Sequence, residues 1–172
     1  MTVQAVRLNH VVLYVSDLER SLAFYQAGFG MEVVASEPRI PAVFLRLPRS
    51  GNHHDLALMA IGDSYGPKRP GIGVYHVAWQ VDTIDELAEA QVTLAELGAL
   101  VGESSHGSTK SLYAHDPDGH EFEVQWMLPR SAWGEYEHSA PIDALDLRSE
   151  IERWSGVGTA AELQPLPRTA GS

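Results

Sequence analysis

The feature that most constrains this chain is an internal repeat at a constant shift of 66 positions. "LNHVVLYV" from Leu8 stands beside "VYHVAWQV" from Val74, with His10 on His76. The same shift sets "HDLALMAI" (54–61) on "HEFEVQWM" (120–127), so that His54 meets His120, Asp55 meets Glu121 and Ala57 meets Glu123. Two blocks that agree at one offset without a gap mark a duplicated unit of about 60 residues. Such a chain folds as two copies of one small module rather than as one unbroken sheet or bundle.

Each copy reads as strand, helix, then three strands. In the first, Leu8–Val15 is a strand and Ser16 with Glu19 forms a capping box. Leu18, Leu22, Tyr25 and Phe29 make a helical stripe, stopped by Gly28 and Gly30. Strands over 31–36, 42–47 and 55–60 follow, with 52–54 a loop. In the second, Val74–Val81 is a strand. Thr83 with Glu86 caps a helix carrying Ile84, Leu87, Leu94 and Leu97, which ends at Gly98. Strands over 100–103, 110–115 and 121–127 complete it, the last entered through the Asp-Pro-Asp-Gly turn at 116–119. The fold class is therefore α+β: two βαβββ modules, 7–61 and 74–128, within a domain of residues 1–130, joined by a Gly/Pro-rich linker over 62–73. Residues 131–172 form an extension with a modest amphipathic helix over about 142–154 and then a mobile Gly/Pro/Ser-rich tail.

Strand parity selects the polar residues that matter. Val11, Leu13 and Val15 share one face of the first strand, and His10 and Tyr14 the other. Tyr75, Val77, Trp79 and Val81 oppose His76 and Gln80, and Phe122, Val124 and Trp126 oppose Glu123. The apolar faces take the helices, which leaves His10, His76 and Glu123 on equivalent faces of the duplicated fold. Singly, each histidine suits a structural role; three residues of ligand type on equivalent faces of a duplicated fold shift that balance toward a shared site.

Charge and composition narrow the partners. A net charge of −11 argues against nucleic acid and anionic membranes, which select basic surfaces. The absence of cysteine excludes disulfides, thiolate nucleophiles and Cys-based zinc sites. No leader pattern and no apolar run of membrane length occur, so a cytoplasmic location is expected.

On these residues the chain resembles the vicinal oxygen chelate superfamily, which includes glyoxalase I, type I extradiol dioxygenases, fosfomycin-resistance enzymes and bleomycin-binding proteins. The resemblance covers roughly residues 7–128. It implies curled sheets around a cavity, and metal ligands His10, His76 and Glu123 rather than Glu121. "HGSTKSLYAHDPDGHEFEV" looks most like the corresponding stretch of single-domain catechol 2,3-dioxygenase-like proteins. Carried over, Tyr113, ten residues before Glu123, is the tyrosine that hydrogen-bonds the substrate, and His106 the acid–base histidine. The activity implied is extradiol ring cleavage of a catechol-like diol with dioxygen, on Fe(II), although Mn, Zn, Co or Ni suit the same ligands. Glyoxalase-type isomerases need a further carboxylate where this chain has Ala57. A metal-free protein sequestering an aromatic or glycopeptide compound, and an isomerase or thiol transferase, are the alternatives. The family resemblance also implies a homodimer whose ligands come from one chain or two. His54 and His120, at turns, are expected on the surface; His53, His115 and His138 complete the histidines. Trp133 or Tyr136 is expected near the cavity mouth.

Overall fold

A computed structural model describes residues 7–37, 39–62 and 73–163; most of the linker and the tail beyond 163 lie outside these. The first repeat gives β1 (Val11–Val15), α1 (Leu18–Phe29), β2 (Glu32–Glu37), β3 (Ala42–Arg46) and β4 (Leu56–Ala60). The second gives β5 (Val77–Gln80), α2 (Ile84–Glu96), β6 (Leu100–Ser105), β7 (Thr109–His115) and β8 (Glu121–Met127). Each repeat forms a four-stranded sheet, ordered β1-β4-β3-β2 and β5-β8-β7-β6.

The duplication extends to strand register. Parallel β1 and β4 pair Val12 with Ala57; parallel β5 and β8 pair Ala78 with Glu123, both partners displaced by the same 66 residues. Antiparallel β2 and β3 slip past Val34, and β6 and β7 slip past Val101, so each sheet carries a one-residue bulge at its outer strand. Such a bulge bends and twists a strand, which curls the sheet.

Compact units do not follow the repeat boundary. One holds residues up to Tyr75 together with Glu96–Ala99 and His115–Glu121; the other holds His76–Ala95, Leu100–Ala114 and Phe122 onward. The core of the first includes Val15, Tyr25, Leu45, Leu56 and Leu58, all essentially inaccessible. That of the second includes Ile84, Leu87, Leu112, Phe122 and Trp126. Phe122, Val124 and Trp126 are buried as their alternation requires.

Local chemistry explains the helix ends, with two departures from expectation. Asp17 rather than Ser16 caps α1, its carboxylate accepting from Arg20 N at 3.0 Å. Ser16 is drawn instead to Asp118, an acceptor with charge and a deeper position. Gly30, at φ 62°, closes α1. Thr83 accepts from Glu86 N, while Glu86 reaches back to Asp82 N. In the extension, α3 spans Leu147–Trp154 and not 142–154. Asp146 caps it by accepting from Ser149 N, and Asp143 is taken up in a backbone bridge to Ser105, so residues 142–146 cannot be helical. No helix among the described residues is long and apolar enough to cross a membrane.

Candidate metal centre and its hydrogen-bonded neighbours

β5 and β8 are adjacent and parallel, and their register sets His76, just before β5, near Glu123 in the middle of β8. His76 Nε2 lies 3.1 Å from Glu123 Oε2. Glu123 is only 7% exposed, and a buried carboxylate is stable when paired or bound to a cation. For bonds of about 2.1 Å, two neighbouring ligands of an octahedral ion stand about 3.0 Å apart. The 3.1 Å spacing suits a direct hydrogen bond between the two side chains and equally two neighbouring ligands of one divalent ion. Glu121, the neighbouring carboxylate, instead faces His115 at 3.7 Å.

His10 belongs to the other compact unit, where Asn9 Oδ1 holds its Nδ1 at 2.9 Å. Among the described residues no group of three His, Asp or Glu side chains is arranged to hold an ion. Within the second compact unit His76 and Glu123 come together, while His10 lies in the first.

The two expected catalytic residues do meet. Tyr113 lies on β7, and His106 in the turn between β6 and β7, with His106 Nε2 2.8 Å from the Tyr113 hydroxyl. His106 Nδ1 lies 2.8 Å from the carbonyl of Pro141. A carbonyl only accepts, so Nδ1 carries the hydrogen, and in the neutral ring Nε2 is an acceptor. Ser104 Oγ lies 2.8 Å from the same nitrogen and 3.3 Å from the Tyr113 hydroxyl. The Tyr113 ring stands 5.9 Å from that of His76, centroid to centroid. His76, Glu123, Tyr113, His106 and Ser104 therefore form one contiguous polar group in one compact unit.

Ser104 was not foreseen; its pairing opposite Ser111 across β6 and β7 puts it on the face that carries Tyr113, and this needs the hairpin register to be known. His120 is buried rather than on the surface, and His54 is only partly exposed. His54 is half-buried with its ring 4.5 Å from that of His10 and edge-on to Phe44. Burial, and then the nearby His10 and His53, hold its pKa below the usual histidine value. His120 is 9% exposed and bonded through Nδ1 to Asp116 at 2.8 Å. Trp133 is tied by its indole N–H to Leu128 O, and Tyr136 lies against Gly107, next to His106.

Residues 7–124 match the Glyoxalase/Bleomycin resistance protein/Dioxygenase superfamily. The chain is 32% identical over 149 residues to a catechol-2,3-dioxygenase of Bacillus subtilis, covering 84% of this chain and 51% of that protein. It is 31% identical over 124 residues to a lactoylglutathione lyase of Neisseria meningitidis, covering 69% of this chain and 88% of that one. Among solved structures, the fosfomycin resistance protein FosX of Listeria monocytogenes, complexed with Mn(II) and sulfate, superposes with a TM-score of 0.59 at 25% identity. That match spans 78% of this chain and 99% of FosX. The chain belongs to the glyoxalase/bleomycin resistance/dioxygenase superfamily, the vicinal oxygen chelate group. It spans about half the length of the Bacillus dioxygenase, and the relatives it matches include dioxygenases, lyases and a metallothiol transferase.

Proposed function

We propose that this protein is an Fe(II)-dependent extradiol-type dioxygenase that opens the ring of a catechol-like diol. The observation that carries the proposal is the hydrogen-bonded His106–Tyr113 pair beside His76 and Glu123. A metal-binding isomerase could use the ligands; a tyrosine backed by a base is what a diol with two acidic hydroxyls needs.

His76 and Glu123 would hold the ion, with His10 of a second copy as the third ligand. A homodimer is supported by β1, an edge strand whose His10 side leaves Val12 and Tyr14 about half exposed. When bound, divalent iron supplies a Lewis acid and a one-electron partner for dioxygen. The protein's part is proton management. Tyr113 donates its proton to His106 Nε2 as it accepts one from a diol hydroxyl, which leaves a deprotonated diol and an imidazolium. The imidazolium holds that proton at Nε2, the position from which Tyr113 can return it to the product. His54, whose pKa is lowered chiefly by burial, stands with its ring 4.5 Å from that of His10.

Ala57, 2% exposed, stands where a fourth ligand would have to come from β4, which weighs against a glyoxalase-type arrangement. The test is oxygen uptake by anaerobically Fe(II)-loaded protein against a panel of catechols. Stoichiometric uptake with a yellow ring-opened product is expected. Iron binding without uptake on any catechol, together with turnover of an epoxide or a hemithioacetal, would move the protein to the transferase or isomerase branch.

A further inference from the structure

The C-terminal extension lies beyond the segment that matches the superfamily, residues 7–124, yet it grips the turn that carries His106. Asp143 and Ser105 exchange two backbone hydrogen bonds, Ser105 N to Asp143 O at 2.9 Å and Asp143 N to Ser105 O at 3.0 Å. Two residues earlier, the Pro141 carbonyl receives His106 Nδ1–H at 2.8 Å. On the other side of the turn Lys110, 6% exposed, bonds Ser105 Oγ and Glu150 Oε1 of α3, each at 2.8 Å. Tyr136 closes over Gly107 so tightly that a Cβ there would fall 2.3 Å from its ring, and Gly107 has φ 74°.

We infer that the extension is a positioning clamp: through the Pro141 carbonyl, anchored by the Asp143–Ser105 bridge, it fixes His106 as the Nδ1–H tautomer, with Nε2 bare and aimed at Tyr113. The chemistry leaves little choice. A carbonyl at hydrogen-bond distance from Nδ1 is satisfied only by an N–H. A neutral ring with its proton on Nδ1 can accept at Nε2; the other tautomer would point an N–H at Tyr113 and could take no proton there. The Pro141 ring fixes φ and so removes one of the two soft backbone dihedrals of the residue whose carbonyl His106 contacts. Asp143 and Ser105 then hold that carbonyl at the base of the β6–β7 turn. Pro141 is a positioning residue; it touches neither substrate nor metal. The catalytic consequence rests on the dioxygenase reading, whereas the tautomer does not.

The experiment reads the imidazole directly. Full-length protein freed of paramagnetic ions is examined by long-range ¹H–¹⁵N correlation NMR above the titration range of its histidines, with His106→Gln to assign the signal. The expected spectrum shows protonated Nδ1 and bare Nε2 at His106. A wild-type spectrum with protonated Nε2 overturns the inference without any further variant. Asp143→Pro removes the donor to Ser105 O, and Pro141→Gly frees the carbonyl's direction while leaving the bridge; either is expected to populate the Nε2–H form. Both are also expected to lower kcat about tenfold or more at unchanged metal content, within the range for a general base that is partly lost. Retention of a pure Nδ1–H signal in every folded variant overturns the clamp. Should no catechol be turned over, the NMR result still decides it.

Discussion

Asp118 binds Ser16, 102 residues earlier in the chain, through both the backbone N–H at 3.2 Å and the hydroxyl. It also receives Ser21 Oγ at 3.2 Å and Arg20 at 2.8 Å. The second repeat's turn thereby holds the first repeat's helix by its N-terminal end, which is where a carboxylate is favoured by the helix dipole. The relationship explains why residues 115–121 cluster with the first compact unit.

The Asp118 carboxyl lies below the usual aspartate pKa. Burial alone would raise it, but the hydrogen bonds from Ser16 and Ser21 and the charge of Arg20 outweigh burial. With the folded pKa depressed, the stabilisation is present above the unfolded value, near 4, and is lost as pH falls through the folded value. Thermal melts from about pH 5 down to about pH 2 are expected to show a shallower acid loss in Asp118→Asn than in wild type, the two curves converging at the acid end. Parallel curves throughout would contradict this role for Asp118.

Asp116 is the hub of the same turn. Its buried carboxylate accepts from Tyr25 OH at 3.1 Å, His120 N and Nδ1 at 2.8 Å each, and Asp118 N at 3.0 Å. Burial, and then the Asp116 charge, push the Tyr25 pKa far up, so its hydroxyl stays a donor. Tyr25→Phe is expected to cost about 1–2 kcal/mol, a Tm drop of roughly 2–8 °C at this chain length. Asp116→Ala should lose at least twice as much, because it strands several buried donors at once. Calorimetry that found the two variants equal would show that the hub is not cooperative.

Much of this was legible in the sequence, for an identifiable reason. The 66-residue shift and the alternation of β8 are periodic and local, and they suffice to derive the matched strand registers and the facing of His76 and Glu123. What escaped depends on contacts between distant segments. Ser16 reads locally as a helix cap and is taken by Asp118; His120 reads as a turn residue and is buried on Asp116. The stretch Ile142–Asp146 has helical spacing but spends its backbone on Ser105, a partner no periodicity reveals.

If His10 completes the site of a second copy, two crippled variants must rescue each other. His10→Ala and Glu123→Ala homodimers each lack a ligand at both sites. In a heterodimer one site carries both defects and the other neither. Random pairing makes half the dimers mixed, so co-expression is expected to restore about a quarter of the wild-type metal, set by the two-fold symmetry of the pair. The His10→Ala and Glu123→Ala proteins purified singly serve as blanks. No restoration in tag-selected heterodimers would mean that each chain supplies all its own ligands.

His106 and Tyr113 give the sharpest functional expectation, since neither contacts the ion in the proposed scheme. His106→Ala removes the acceptor for the diol's proton and should slow turnover by about 10²–10⁴. Tyr113→Phe breaks the 2.8 Å link while leaving the ring against His76, so the proton must reach His106 by another path. Its kcat should fall, with iron content and melting temperature near wild type, since only a half-buried hydroxyl is lost. Because the two residues act through one hydrogen bond, the double variant should be little slower than His106→Ala alone. Ser104→Ala tests the specificity of that coupling. Ser104 shares Nε2 with Tyr113 but is not the residue proposed to meet the diol, so a smaller loss is expected. Turnover kinetics on the four iron-loaded proteins would decide it: losses that multiply in the double variant would show that His106 and Tyr113 act in separate steps.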